Sequence, residues 1–191
     1  MPNAIQLLKQ DHRKVEQLFE QFEALQDRTI AMKVCEELHI HTQLEEELVY
    51  PELARIDQQL EQDAEREHDE ADTLIAEIES LGSGRDDRLW ELMTKLKGAI
   101  QHHVSEEEQQ AFPKLEQNLG STLDRIGADM ENRRLELVEG DAAMATQGGG
   151  GATPRLIDLT KEELYAKAQA AGIKGRSQMT KDQLADALSR S

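Results

Sequence analysis

Apolar residues recur at three- and four-residue intervals along most of the first 138 residues. This spacing puts them on one face of a helix and predicts amphipathic helices rather than strands. Turn-forming residues divide the pattern into five predicted helices, at about 3–25, 29–56, 60–81, 86–118 and 121–139. Because short turns join them, the first four should pack as antiparallel neighbours in an up-down four-helix bundle, with the fifth as a brace.

Polar residues interrupt each of the first four apolar faces. These residues are His12, His41, Glu45, His68, His103 and Glu107. The second and fourth helices share one pattern, in which a His is followed four residues later by a Glu and then by an aromatic residue and a Pro. Residues four apart lie on the same face of a helix, so each imidazole and carboxylate can converge on one point.

These six side chains should lie in one layer of the bundle, as counting from each turn at about 1.5 Å per residue shows. Burying a carboxylate without a cation costs several kcal/mol, and no Lys or Arg lies on the four inward faces at this level. A metal site therefore explains the layer better than ordinary core packing does. Imidazoles and carboxylates suit iron, zinc, copper or nickel, and two carboxylates that can bridge fit a pair of ions better than one.

Two other histidines should lie off the inward faces. His39 is about 200° round the helix from His41, and His102 is about 100° round from His103. A ferritin-like carboxylate di-iron oxidase is an alternative, because Glu36 with His39 and Glu65 with His68 both match its Glu-x-x-His spacing. It would require His39 to face inward. A third possibility is a helical protein or nucleic-acid interaction module whose histidines pack without a metal.

Charge and hydropathy limit the partners of the bundle. The net charge is −17, with −19 on residues 1–153 and +2 on residues 154–191. The acidic part should repel nucleic acid and anionic membranes. The chain contains no run of about 18 apolar residues and no signal-peptide pattern. Together with the single cysteine, Cys35, these features lead us to expect a cytoplasmic protein with no membrane contact.

The last third of the chain has a different organisation. Four consecutive glycines, Gly148–Gly151, predict a flexible linker over 140–154. The predicted domains are therefore the bundle at 1–139, the linker, and a small helix-loop-helix module at 155–191. Thr160 and Thr180 are expected to cap the two helices of the module.

The module resembles the N-terminal domain of the transcription terminator Rho and its SAP-like relatives. This resemblance implies that residues 155–191 bind nucleic acid, and the alternative is that they dock onto a protein. Lys174, Arg176 and Lys181 lie in or beside the loop of the module and are the candidate phosphate contacts.

The bundle resembles the hemerythrin-like cation-binding family over about residues 3–138. The resemblance rests on Asp11–His12, the segments His41–Pro51 and His103–Pro113, and His68 after acidic residues. It implies a non-haem di-iron centre that binds O2 or related small ligands, with roles in oxygen carriage or sensing, iron homeostasis, or responses to nitric oxide or peroxide. It also implies the ligands: His12 and His41 for one iron, His68 and His103 for the other, and Glu45 and Glu107 as bridges.

The chain departs from the oxygen-carrying hemerythrins at two positions. Those proteins have a second histidine on the third helix, where this chain has Asp72, and a more distant Asp where it has Glu107. Fewer histidines and more oxygen ligands favour ferric iron. We therefore expect sensing, peroxide turnover or reaction with nitric oxide rather than stable oxygen carriage, and the sequence leaves open whether the protein is an enzyme.

Overall fold

The computed structural model describes residues 2–84, 86–146, 164, 167, 168, 171, 173, 176 and 179–190. Every regular element within these residues is a helix. The chain divides into two compact units, Met1–Arg134 and Leu135–Ser191. The prediction of an all-α protein is confirmed.

Two long helical segments of the bundle are each interrupted by a π-helical turn. The elements are α1 (Ala4–Leu25), α2 (Arg28–Leu44), α3 (Tyr50–Ile56), α4 (Gln58–Ser80), α5 (Asp86–Glu106), α6 (Phe112–Leu119), α7 (Thr122–Thr146) and α8 (Lys181–Ser189). A five-residue π-helical turn joins α2 to α3 at Glu45–Val49, and another joins α5 to α6 at Glu107–Ala111. The second and fourth predicted helices therefore each consist of two α-helices and a π-turn.

The four-helix bundle consists of α1, α2, α4 and α5, and each of these helices packs against two of the others. Helix α1 packs against α2 and α5, and α4 also packs against both. Local sequence signals set where the helices begin: Asn3 and Gln6 form a reciprocal capping box at the start of α1, and Asp27 and Asp57 cap α2 and α4. The predicted up-down four-helix bundle is confirmed.

The core of the bundle is mainly apolar away from the level of the histidines. One buried apolar cluster draws on four helices and consists of Val15, Phe19, Phe22, Ile30, Ala31, Val34, Cys35, Leu38, Ala71, Ile75, Ile78, Leu89, Leu92, Met93 and Leu96. Along α1 the buried residues Leu8 and Val15 lie on either side of His12, and along α4 Ala64 and Ala71 lie on either side of His68. The histidines thus form a polar layer across a mainly apolar interior, in which Glu61 is a further buried carboxylate.

Helix α7 lies against the start of α1, and a glycine permits this close approach. A Cβ atom on Gly127 would stand 2.8 Å from the carbonyl oxygen of Pro2 and 2.9 Å from the amide nitrogen of Ala4. Both are backbone atoms, which cannot move aside as the end of a side chain can. Residues Leu123, Ile126 and Met130 of the same helix are buried, so the start of α7 acts as the predicted brace.

We expect Gly127→Ala to destabilise the bundle by about 1–2 kcal/mol, because overpacking against backbone outweighs the better helix propensity of alanine. Gly98 on α5 is the matched control, since nothing lies within 4 Å of a Cβ placed there. We expect Gly98→Ala to stabilise by about 0.5–1 kcal/mol. Urea unfolding of the two variants measures both effects, and equal shifts in the same direction would contradict the close approach.

The second unit has a small core of its own. Leu164, Ala168 and Leu184 are buried, with Ile173 and Met179 packed against them. Thr180 caps α8 in a capping box with Gln183, as predicted. The predicted cap at Thr160 lies outside the described residues.

Two predictions about the C-terminal region need correction. Arg176 is only 3 % exposed and its guanidinium donates to the carbonyl oxygen of Ile173 at 3.4 Å. It is therefore a structural residue rather than a phosphate contact, whereas Lys181 is exposed. Residues 140–146, predicted to begin the linker, belong to α7, and residues 147–154 lie outside the described part.

Within the described residues, no helix has both the length and the apolar character that crossing a bilayer requires.

Candidate metal centre

The six inward residues that the sequence pattern indicates all lie inside the bundle. Each is at most 7 % exposed. They form two overlapping groups of potential metal ligands: His12, His41, Glu45 and Glu107, and Glu45, His68 and His103. One ligand atom from each member of a group lies within 4.8 Å of the others, which is close enough for one ion to touch them all.

The first group joins the repeated motifs of α2 and α5 to α1. The Nε2 atom of His41 lies 3.2 Å from Oε2 of Glu45, and Nε2 of His12 lies 3.4 Å from Oε2 of Glu107. All four side chains point from different helices, or from successive turns of one helix, toward the same place.

The second group joins α4 to α5 and shares Glu45 with the first. The Nε2 atoms of His68 and His103 are 3.1 Å apart, and Oε2 of Glu45 lies 3.4 Å from Nε2 of His68. Oε2 of Glu107 also lies 3.6 Å from Nε2 of His103. Both carboxylates therefore face both groups, which is the arrangement that bridging a pair of ions requires.

The chemistry of these side chains fits a bound cation. Among the described residues, His12 Nε2, both carboxylate oxygens of Glu45 and Glu107 Oε2 are buried without a hydrogen-bond partner. Unpaired buried oxygens of this kind are costly unless a positive charge lies beside them. The residues that line the small cavity beside the histidines include neither Lys nor Arg. Metal ions would supply positive charge and ligand bonds to the atoms that lack a hydrogen-bond partner.

Each π-turn begins at one of the two inward glutamates. Pro51 has no backbone N–H to offer the carbonyl of Glu47, and its ring would clash there in a regular helix. The chain widens instead, and the amide of Tyr50 donates to the carbonyl of Glu45 five residues back. Phe112 does the same to Glu107 just before Pro113. A proline inside a helix kinks or ends it, and the π-turn is the form that this takes here.

Every inward histidine also faces a carboxylate through its other ring nitrogen, Nδ1. The pairs are His12 with Glu108 at 2.9 Å, His103 with Glu67 at 3.0 Å, His68 with Glu46 at 3.2 Å and His41 with Asp11 at 3.6 Å. A carboxylate at Nδ1 holds the ring so that Nε2 points at the centre, and it raises the basicity of that nitrogen.

The sequence reasoning missed these four carboxylates as a set. Glu46 and Glu108 could have been found, because each directly follows an inward glutamate in the repeated motif. The π-turn explains why two successive residues can both serve the centre: its wider turn brings neighbouring side chains closer in direction than an α-helix does. Asp11 and Glu67 each directly precede an inward histidine, but neither is part of the repeated motif.

Two arginines of the brace helix α7 pair with acidic side chains, one of which, Asp11, belongs to this set of four carboxylates. Arg134 donates to Oδ2 of Asp11, and Arg133 donates through Nε to Glu47 at 2.8 Å. Burial raises the pKa of Asp11, but His41 and Arg134 more than offset this and leave it below its usual value. Asp11 is therefore charged when it faces His41.

Protons take the place of cations when no metal is bound. Burial lowers the pKa of His41, but the carboxylates of Glu45 and Asp11 outweigh it and raise the pKa to about 10. The pKa of His68 is also raised to about 10, because Glu45 and Glu46 outweigh its burial. Metal ions that bind here must displace these protons, so binding releases protons.

Tyr50 brings a phenol oxygen to the second group. The side chain is fully buried, and its hydroxyl lies 3.1 Å from Nε2 of His68 and 3.3 Å from Oε1 of Glu107. The matching residue of the other repeat is Phe112, whose ring stacks on His12 with centroids 5.8 Å apart. The aromatic residues of the two repeats therefore differ by one hydroxyl group, which lies beside the second ligand group. The sequence pattern contains both aromatic residues but does not show where they point.

The remaining candidates lie outside the two groups. His39 is partly exposed and contacts Glu79 at 3.2 Å, and the side chain of His102 is 65 % exposed. The prediction that neither faces inward is confirmed. The ferritin-like alternative required an inward His39, which the structure does not provide. Asp72 belongs to neither of the two groups.

The described helices and side chains define an all-α protein in which buried histidines and carboxylates from four helices can hold cations. The family model of the hemerythrin HHE cation-binding domain matches residues 3–115. The chain therefore belongs to the hemerythrin HHE cation-binding family, and the resemblance of the bundle is confirmed. No curated protein and no solved structure matches the chain. The likeness of residues 155–191 to the Rho N-terminal domain stays a prediction.

Proposed function

We propose that this chain is a non-haem di-iron protein that binds a small ligand such as O2, nitric oxide or peroxide. The observation that carries the proposal is the pair of ligand groups that share Glu45, with buried oxygens that lack hydrogen-bond partners. His12 and His41 would bind one iron, and His68 and His103 the other. Glu45 and Glu107 would bridge the two ions.

The residues around the centre suit a small, uncharged ligand. A small cavity touches all four histidines. Its other walls are mainly apolar and include Val15, Leu38, Ile100 and Val104. These side chains would keep bulk water and larger molecules from the metal ions while leaving room for a diatomic molecule or peroxide.

Tyr50 distinguishes the two irons. Its phenol oxygen lies beside His68 and Glu107, so it would supply the second iron with an oxygen ligand. Burial and the charges of Glu107, Glu45 and Glu46 raise the pKa of Tyr50 well above its usual value, so the phenol would lose its proton only to a bound metal ion. Iron in this site would supply redox chemistry and an open coordination position.

The anionic oxygen ligands favour reaction with peroxide or nitric oxide over reversible oxygen storage. Two bridging carboxylates and a phenolate stabilise the ferric state. This fits a role in sensing or removing peroxide or nitric oxide, or in iron homeostasis, better than oxygen carriage.

Iron content and the visible spectrum before and after exposure to O2, peroxide and nitric oxide test this function. We expect two irons per chain and rapid spectral change with peroxide or nitric oxide. An oxygenated form that survives for hours and releases O2 under vacuum would replace this function with oxygen storage. A chain that binds zinc in preference to iron under matched conditions would contradict the di-iron proposal.

A further inference from the structure

A second set of metal-binding side chains lies beside the buried centre, at the surface where α4 meets α5. Glu67, His102 and Glu106 each place one ligand atom within 4.8 Å of the other two. Nε2 of His102 lies 3.4 Å from Oε1 of Glu67. We call these three residues the outer group.

The outer group repeats the spacing of the buried motif one residue earlier in the sequence. His102 and Glu106 are four residues apart on α5, as His103 and Glu107 are. Residues four apart share a helix face, so the two pairs form adjacent rows along one helix. One row faces the core and the other faces the rim, where Glu67 of α4 meets it.

Exposure makes the outer group accessible to ions in solution. The side chain of His102 is 65 % exposed, whereas that of Glu67 is 14 % exposed. Glu67 is therefore held in place while His102 can meet a hydrated ion. One imidazole and two carboxylates suit a first-row divalent cation that keeps several water ligands.

Glu67 connects the outer group to the buried centre. Its Oε1 faces His102, and its Oε2 accepts a hydrogen bond from Nδ1 of His103 at 3.0 Å. The residues of the buried centre are at most 7 % exposed, so they present little surface to ions in solvent. A group that binds cations at the rim and touches a residue of the centre lies where an arriving ion would first be held.

We propose that Glu67, His102 and Glu106 form an outer cation site that captures a divalent ion and passes it to the buried centre. This goes beyond the proposed function and rests on one part of it, that the buried centre holds metal, but not on the metal being iron. The acidic surface of the chain, with a net charge of −17, would concentrate cations near the site.

The test compares the natural chain with the double variant His102→Ala and Glu106→Gln. Both proteins are stripped of metal and given Co2+ alone, with bound ions counted after equilibrium dialysis and loading of the buried centre followed by Co2+ absorption. We expect the variant to bind one ion fewer per chain. We also expect it to load the buried centre about tenfold more slowly, the lower end of the range for electrostatic capture.

His39→Ala is the matched control, because His39 also pairs with a glutamate at the surface but belongs to no group of three ligands among the described residues. It should bind as many ions as the natural chain and at the same rate. An unchanged ion count or an unchanged loading rate in the double variant would overturn the proposal. If the natural chain binds one ion only and the double variant loses it, the outer site is supported and the buried centre is refuted.

Discussion

Changing both His41 and Glu45 to alanine should abolish metal binding at the buried centre and remove the thermal stabilisation that this metal gives. Glu45 belongs to both ligand groups, and His41 lies 3.2 Å from it, so the double variant weakens both ion positions at once. Metal at a hundredfold excess over its dissociation constant stabilises the folded state by about 2.7 kcal/mol. At about 3 °C per kcal/mol for a domain of this size, the natural chain should melt about 8 °C higher with metal than without.

The informative quantity is the difference in Tm between metal-loaded and metal-free samples of the same variant, because the substitutions also change the core. That difference should vanish in the double variant and persist in His39→Ala, whose side chain lies outside the centre.

Single variants separate the contributions of individual residues to the two ion positions. His12→Ala should lose one ion, since His12 belongs to one group, whereas Glu45→Ala should lose both. Two ions per chain in the double variant would mean that the site is elsewhere.

Tyr50→Phe should leave iron in place but remove the visible absorption band that a phenolate gives when it binds ferric iron. The variant removes one oxygen atom, 3.1 Å from His68 Nε2 and 3.3 Å from Glu107 Oε1, and keeps the ring that fills the core. Loss of an anionic ligand should also make the ferrous state longer-lived in air. Absorption spectra and iron content of the two proteins at equal concentration measure the effect.

The control for Tyr50→Phe is His39→Ala, which changes a partly exposed side chain outside both the centre and the outer group. It should keep the absorption band of the natural chain. A band that persists in Tyr50→Phe would show that the phenol is only a hydrogen-bond donor. In that case the second iron would have two histidines and the bridging carboxylates as its protein ligands.

Helical periodicity was sufficient to predict that six histidines and glutamates lie inside the bundle. His12, His41, His68 and His103 interrupt apolar rows, and burial of unpaired carboxylates demands a cation wherever Lys and Arg are absent. Both signals depend only on which face a residue occupies, and helix geometry fixes the face. The same reasoning placed His39 outside the core correctly.

The positions of other groups depend on contacts between helices and could not be predicted from one helix at a time. Arg134 reaches Asp11 across 123 positions of sequence, and Gly127 matters only because the backbone of residues 2–4 lies against it. The π-turns redirect Glu46 and Glu108 in ways that regular helical spacing does not describe. Arg176 suggested a phosphate contact by its charge, but the fold of the second unit buries it.

The most direct test of the paired metal centre is anomalous diffraction at the iron edge from crystals of the iron-loaded chain. We expect two peaks within the bundle. One should lie among His12, His41, Glu45 and Glu107, and the other among Glu45, His68, His103 and Tyr50, so that Glu45 touches both. A single peak, or no peak, among these buried side chains would contradict the paired centre.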